Sequence, residues 1–491
     1  MIEICVSLTE DTTAAVIDRM ADLAEVADLF EIRGDFITDL DLLTILRAKT
    51  RPLLFACRAA SEGGRMDDGD PRRRRALLEA VKRGYDYVDV EYRSGLRDVM
   101  AEMSGRGLVV SYHDLEGTPA DLDGLYAAMG EAGADYVKIA VTPRSIADVG
   151  RLLDLAARAA RGGGKPLLPV ALGPLGLPTR LLAGRYRAPF TYAAPAVGSE
   201  AAPGQLPAGL MADLYRVREV TSATRVYGVL GADVSRSLSP VLHNRAFAAR
   251  QMDAIYIPLQ AEALEPFVSA LPALDLAGFS VTRPYKMEVL RHLHAVEETA
   301  ALAGSVNTVV VRDGLLQGSS TDGHGVLGPL KKKIDVRGKR VLVLGAGGAA
   351  RAAALFLGRK GARVTVVARD PGQAAAVGAA VGCAHDGWEG LPRHSWDVLI
   401  NATPVGSPAA PGQSPVPADL HRPGSVVFDM VYDPLETPLL AEARAAGCMV
   451  IDGLEMLLAQ AVAQFETWTG TEAPVDVMRA AVRATAAERE A

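Results

Sequence analysis

Eight short apolar or β-branched runs recur at intervals of roughly 20 to 35 residues through the first 222 positions, and this spacing restricts the fold more than any other property of the chain. They are IEICVSL from Ile2, DLFEIRGD from Asp28, PLLFACR from Pro52, YDYVDVEY from Tyr85, GLVVSYHD from Gly107, ADYVKIAV from Ala134, LLPVALG from Leu167 and FTYAAP from Phe190. Between them lie Ala-, Leu- and Arg-rich stretches with helical spacing, such as TAAVIDRMADLAEV from Thr13 and SIADVGRLLDLAARAA from Ser145, some opened by a Thr or Ser suited to capping a helix. Strand–helix units in this number predict a (β/α)8 barrel. A doubly wound sheet is the alternative, disfavoured because no Gly-rich phosphate loop follows any of these strands.

A barrel of this kind builds its site at the C-terminal ends of its strands. Glu31 and Arg33 fall at the end of the second run, Arg58 of the third, Glu91 of the fourth, His113 of the fifth and Lys138 of the sixth, with Arg180 and Gln205 in the segments that follow the seventh and eighth. Lys138 stands in an otherwise apolar run. A lone lysine there reads as one that snorkels to water, whereas a rim of polar groups reads as a site. An amine held dry among cations is expected to lose its charge and condense with a ketone, which acidifies the neighbouring C–H. An imidazole such as His113 is suited to remove that proton and return one to a departing hydroxyl, with Glu91 on the adjacent strand expected to orient the ring. Arg180 offers a planar fork for a carboxylate, and Glu31, Arg33 and Arg58 can hold hydroxyls.

Composition bounds the remaining classes. The chain has 491 residues, 49% hydrophobic content and a net charge of −7, enough for about three compact units and without a basic field for nucleic acid or anionic membrane. The run Arg72 to Arg75 reads as the solvated face of a helix. Cys5, Cys57, Cys383 and Cys448 lack CxxC spacing, so neither a disulfide framework nor a metal site is expected. With no apolar run of about 18 residues and no signal-like N-terminus, a soluble, unprocessed cytoplasmic protein is expected, as a monomer.

The motifs EIRGD, CRAASEGG, DVE, SYHD, YVKIA, LGPLGLPTR and APGQ, spread over residues 1–222, resemble those of type I 3-dehydroquinate dehydratase. The resemblance implies Schiff-base formation between Lys138 and the ketone of 3-dehydroquinate, with loss of water to give 3-dehydroshikimate and no metal. His113 would be the acid/base, Glu91 its partner, and Gln205 part of a loop that closes over the substrate. The hydroxyl residue common in the family four positions before that glutamine is here Ala201.

From Val226 the pattern changes to a smaller α/β unit: VYGVLG, the polar turn DVSRSLSP, the helix VLHNRAFAARQ and the strands IYIPLQ and GFSVTR. Ser237 and Ser239 precede or open that helix, where they can either receive a carboxylate or simply cap it. Then KRVLVLGAGGAARAAALFLGRKGARVTVVARD, from Lys339, runs from a buried strand through Gly345, Ala346, Gly347, Gly348, Ala349 and Ala350 into a helix and a second strand, a dinucleotide-binding fingerprint in its strand–turn–helix setting. Arg369 at the end of the second strand favours NADP, while Asp370 beside it keeps NAD open. A hydride acceptor needs a proton donor nearby, for which Lys286 in SVTRPYK and Asp322 in SSTDGHG are candidates.

Together with SLSP, GSVNT, NATPVG, DMVYDPLETPLL and DGLEMLLAQAVAQF, these motifs resemble shikimate dehydrogenase over residues 226–480. The resemblance implies that Ser237, Ser239 and Tyr432 bind the substrate carboxylate, that Thr282, Asn307 and Gln460 bind its hydroxyls, that Lys286 and Asp322 form the catalytic pair, and that Asn401, Thr403 and Gly406 line the nicotinamide side. Ser280 and Ser320 replace asparagines common in that family and keep hydrogen-bonding ability. The expected organisation is a barrel over 1–222, a substrate lobe over 223–328 completed by helices in 453–491, and a Rossmann domain inserted over 329–452. The expected function is dehydration of 3-dehydroquinate followed by NADPH-dependent reduction to shikimate. A second half that accepts quinate with mixed NAD and NADP use, or a catalytically silent ligand sensor, are the alternatives.

Overall fold

The structure, a computed structural model, describes residues 1–490. Its first eight strands are β1 (Glu3–Leu8), β2 (Leu29–Arg33), β3 (Leu53–Ala56), β4 (Tyr87–Glu91), β5 (Leu108–Asp114), β6 (Tyr136–Val141), β7 (Leu167–Ala171) and β8 (Phe190–Ala193). They form one parallel sheet in the order β7-β6-β5-β4-β3-β2-β1-β8, the expected barrel with one departure: β7 and β8 are not hydrogen-bonded to each other. Pro169 at the middle of β7 removes a ladder donor, which suits that strand to an edge. The strands are buried on both faces by barrel interior and outer helices, which is why they read as continuous apolar runs.

The barrel interior is layered. Leu29, Leu54, Val109, Leu168 and Phe190 fill its lower part, where Tyr87, Tyr136, Phe190 and Tyr192 meet edge to face with ring centres 5.5–5.8 Å apart. Two residues further along four of the strands the inward positions become polar: Glu31 and Arg33 on β2, Asp89 and Glu91 on β4, Ser111 and His113 on β5, and Lys138 on β6 beside Ser111. An apolar floor thus supports a polar rim, and the strand period of two aligns the side chains that share it.

Twelve further strands follow: β9 (Arg225–Gly231), β10 (Ala254–Gln260), β11 (Leu276–Val281), β12 (Ala295–Val296), β13 (Thr308–Arg312), β14 (Leu315–Ser319), β15 (Arg340–Leu344), β16 (Arg363–Ala368), β17 (Ala384–Gly387), β18 (Val398–Asn401), β19 (Val426–Asp429) and β20 (Met449–Ile451). One sheet runs β10-β9-β11-β13-β14-β12 and the other β17-β16-β15-β18-β19-β20, the latter all parallel with the 3-2-1-4-5-6 order of a Rossmann domain. Val341, Val343, Val366 and Ile400 pack on one face of that last sheet, and Leu342, Leu344, Val367 and Leu399 on the other.

The chain forms two compact units, Met1–Tyr227 with Asp233–Ser235 and Asp253–Leu276, and the remainder. The first therefore contains more than the expected barrel: the helix Leu264–Leu274 lies along the barrel helix Ile146–Gly162. Gly150 permits that approach, since a Cβ there would stand 3.0 Å from the Cβ of Ala270. The Tyr186 hydroxyl donates to Ala273 O at 3.1 Å and Arg185 pairs with Asp275 at 2.5 Å. In the second unit the helix Gly453–Thr469 packs on β13, with Gln464 donating to Thr308 Oγ1 and Trp468 to Val309 O. Among the described residues no helix is long and apolar enough to cross a membrane.

Candidate active sites

In the barrel, one hydrogen-bonded chain joins the groups at the rim. Lys138 Nζ donates to Asp89 Oδ2 at 3.1 Å, Arg58 Nη2 donates to the same oxygen at 3.0 Å, Arg58 Nη1 lies 2.8 Å from His113 Nδ1, and Glu62 Oε2 lies 3.0 Å from that nitrogen. Glu31 Oε1 is 3.6 Å from Lys138 Nζ and the Tyr192 ring centre 4.2 Å from it. The expectation that Lys138 sits among cations is corrected by this geometry, because its nearest charged neighbours are the carboxylates of Asp89 and Glu31. Burial alone would push the Asp89 carboxyl up, but Arg58 and Lys138 hold it well below the usual carboxylate range. Asp89 is thus a fixed anion, not a base.

The partner expected for His113 is also corrected. Both Glu91 oxygens accept from Arg73 Nη2 at 2.8 Å, and its Oε1 accepts the Ala59 N–H at 2.8 Å. Glu62 holds the imidazole, its Oε2 also accepting the His113 N–H at 3.0 Å. Burial, then the charge of Glu91, pushes the Glu62 carboxyl up to about 7. Burial, then Arg58 and Lys138, pushes His113 well below its ordinary value, so the ring is neutral. Arg58 can only donate, so Nδ1 satisfies one neighbour at a time. With Glu62 ionised the ring proton sits on Nδ1 and Nε2 is a base; with Glu62 protonated Nδ1 accepts from Arg58 and Nε2 carries the proton.

Arg180, 2% exposed, has no hydrogen-bond partner for its Nε and reaches Pro203 O only at 3.4 Å; burial pushes it down to about 10, still cationic at neutral pH. A buried cation with free donors favours an anion. Gln205 bridges the APGQ loop to β1, donating to Ser7 Oγ at 3.2 Å and accepting the Ala201 N–H at 2.8 Å. Arg33 is engaged bidentately by Asp35 and lies over Phe36. The Arg72–Arg75 run is not wholly solvated, since Arg73 is buried at 2% exposure. Sequence reasoning therefore missed Glu62, Asp89 and Arg73. Asp89 shares the inward face with Glu91 by strand alternation, and this was the signal available for it; Glu62 lies in a 3-10 turn whose direction no periodicity encodes.

The second unit holds the other cluster. Lys286 Nζ donates to Asp322 Oδ2 at 2.7 Å, and Asn307 Nδ2 fixes the other Asp322 oxygen at 2.8 Å. Asn307 also reaches Gln460 Oε1 at 3.3 Å, which ties the helix Gly453–Thr469 to this pair. Thr282 lies on the turn after β11, its N–H donating to Leu230 O. Ser237 Oγ accepts the Ser239 N–H at 3.3 Å at the start of the helix Ser239–Ala249, and Arg236 Nε donates to Asp433 at 2.8 Å, which brings the Ser237 and Tyr432 segments together.

The fingerprint loop fits a dinucleotide. Gly345 has φ of +110°, a conformation that favours glycine, and a Cβ on Gly347 would meet nothing within 4 Å, so backbone is open to a pyrophosphate there. A Cβ on Gly348 would fall 2.4 Å from Ser305 Oγ and 3.4 Å from Lys286 Cβ, so the start of the helix Gly348–Arg359 is packed against the lysine turn. Ala346 and Ala349 pack on the Rossmann core. Asp370 caps the next helix, accepting from Gly372 N and Gln373 N, whereas Arg369 is exposed. One oxygen of the acidic group that would favour NAD is thus engaged by the backbone. Asn401 is fully buried and gives its whole amide to Val405 O, Asp429 and Thr403, which makes it a support of the Thr403–Gly406 turn and not part of the nicotinamide lining itself.

Comparison with known proteins finds relatives for both halves of the chain. Residues 4–222 match the type I 3-dehydroquinase family, 229–309 the shikimate dehydrogenase substrate binding domain, 333–405 a putative NAD(P)-binding domain and 453–483 the shikimate 5'-dehydrogenase C-terminal domain. A bifunctional 3-dehydroquinate dehydratase/shikimate dehydrogenase of Arabidopsis thaliana, described as chloroplastic, is 34% identical over 96% of this chain and 83% of its own. A shikimate dehydrogenase (NADP(+)) of Pyrococcus furiosus is 42% identical over 55% of this chain and 100% of its own. The crystal structure of the shikimate 5-dehydrogenase of Thermus thermophilus, solved with NADP(H) and shikimate, superposes with a TM-score of 0.50 at 36% identity, covering 53% of this chain and 99% of that one. With a type I 3-dehydroquinase match in the barrel, a shikimate dehydrogenase match after it and a bifunctional relative aligned along nearly the whole polypeptide, the chain belongs to the bifunctional 3-dehydroquinate dehydratase/shikimate dehydrogenase family.

Proposed function

We propose that the barrel dehydrates 3-dehydroquinate through a Schiff base on Lys138, and that Lys286 and Asp322 protonate the ketone of the resulting 3-dehydroshikimate as it is reduced to shikimate. The observation that carries the first step is the continuous chain Lys138–Asp89–Arg58–His113–Glu62, which couples one buried amine to one neutral imidazole. Nζ adds to the substrate ketone and water leaves, giving an iminium that acidifies the adjacent C–H. Nε2 of His113 takes that proton while Glu62 is ionised. The same nitrogen returns it to the departing hydroxyl, so water leaves and the ring is regenerated. Hydrolysis of the iminium then releases the enone and Lys138. Arg180 supplies the free donors for the substrate carboxylate and Gln205 holds the loop that covers it.

In the second unit, the Gly345–Ala349 loop would hold the pyrophosphate of NADPH and Arg369 its 2'-phosphate, and the bound cofactor would supply the hydride. Lys286 gives a proton to the carbonyl oxygen, and Asp322, oriented by Asn307, holds the lysine in place. Ser237, Ser239 and Tyr432 are assigned to the substrate carboxylate and Thr282, Asn307 and Gln460 to its hydroxyls. Borohydride added during turnover of 3-dehydroquinate tests the covalent step: a substrate-dependent mass increase on the peptide carrying Lys138 is expected, absent in Lys138→Ala, which also loses dehydratase but not reductase turnover. Undiminished dehydration by Lys138→Ala would refute it.

A further inference from the structure

The buried pair that displaced Glu91 from His113 leaves an ion pair with no part in the chemistry above. Arg73 extends from the barrel helix Pro71–Arg83, and its guanidinium uses every edge: Nη2 meets both Glu91 oxygens at 2.8 Å, Nε donates to Cys57 O at 3.1 Å and Nη1 to Asp68 O at 2.7 Å. Glu91 Oε1 also accepts the Ala59 N–H at 2.8 Å. One ion pair thus grips residues 57, 59 and 68 of a single segment. That segment carries Arg58 and Glu62, the two side chains at His113 Nδ1, and no regular element longer than the 3-10 turn Ala60–Glu62 holds it. It is also folded tightly, since a Cβ on Gly64 would stand 2.0 Å from Arg58 O.

On the reading that His113 is the acid–base group, we propose that the Arg73–Glu91 pair is a positioning device that clamps the Cys57–Asp68 segment so that Arg58 and Glu62 converge on His113 Nδ1. A buried ion pair of this kind adds little net stability but fixes one geometry, and loss of either partner releases it. Its charge also bears on the switch. The groups facing Glu62 are Arg58 beyond the end of β3, Asp89 and Glu91 on β4 and His113 on β5, and the Glu91 charge follows burial in pushing Glu62 up to about 7.

Two substitutions in the full chain separate charge from geometry. Glu91→Gln keeps the shape and removes the anion. It is expected to lower dehydratase kcat about tenfold with a smaller change in KM, and to move the limb of the kcat–pH profile near 7 to lower pH by roughly half a unit or more. Arg73→Lys keeps the cation but loses the fork to Cys57 O and Asp68 O; kcat should fall severalfold with that limb in place. Reductase kcat in both should match the parent. The proposal is overturned if Glu91→Gln keeps the parental kcat and profile, or if kcat falls while the limb stays. Should Arg73→Lys fail to fold, Glu91→Gln carries the test alone. His113→Ala, assayed alongside, separates the two levels: parental turnover there refutes the acid–base reading itself.

Discussion

Nδ1 of His113 faces both Arg58 and Glu62, so the ionisation of the Glu62 carboxyl sets which nitrogen of the imidazole can carry the proton. Glu62 is 6% exposed and pushed up to about 7 by burial and then by Glu91, so dehydration is expected to rise with pH through about that value as Nε2 becomes a base. The linkage has the opposite sign for stability. Between the unfolded carboxyl value of 4.5 and about 7 the folded protein keeps a proton that the unfolded chain has released. Stability is therefore lost over that window as pH rises, by about 3 kcal/mol at most. Glu62→Gln should lower dehydratase kcat by about two orders of magnitude while raising the urea midpoint at pH 8 and leaving it nearly unchanged at pH 4. Activity against pH and urea titration at the two pH values check both halves of this expectation; a lower midpoint at pH 8 would contradict it.

At the scale of elements, the site residues follow from how strands and helix starts end. The inward face of β4 sets Asp89 in contact with Arg58 and Lys138 and turns Glu91 to Arg73, two positions apart and with different partners. In the second unit the helix Gly348–Arg359 begins against Ser305 and Lys286, so its first residue has no room for a side chain. Gly348→Ala is expected to displace that helix start from the lysine turn, lowering reductase kcat/KM for NADPH by about tenfold or more. Dehydratase activity of the same preparation should match the parent. Steady-state assays of the two reactions on one sample make this measurement, and equal loss of both would point instead to global unfolding.

At the scale of the whole molecule, the first compact unit does not stop where the barrel pattern does. The helix Leu264–Leu274 covers the barrel helix Ile146–Gly162, with Tyr186 and Arg185 bonded to residues 273 and 275. A fragment ending at residue 222 exposes that face. Losing the Tyr186 hydrogen bond and the packing around Gly150 should lower its stability by about 2 kcal/mol or more relative to the barrel in the full chain. Denaturant unfolding followed by dehydratase activity compares the two, and an unchanged midpoint would show that the helix contributes nothing to the barrel.

The strand runs, the fingerprint with its glycines, Lys138, His113, Lys286 and Asp322 were all legible in one dimension, because periodicity of two or 3.6 residues and backbone freedom at glycine are local properties. Who pairs with whom was not. Glu62 reaches His113 across 51 positions, Arg73 reaches Glu91 across 18, and Asp370 gives one oxygen to the helix it caps. The charges around Lys138 were misjudged for the same reason, since strand order and twist, which are settled only when the sheet closes, bring Asp89 and Glu31 closest to it. Local chemistry and the family motifs pointed to the groups proposed to react; the folded barrel chose their partners, because the energy of a buried charge depends on neighbours that the chain delivers from elsewhere.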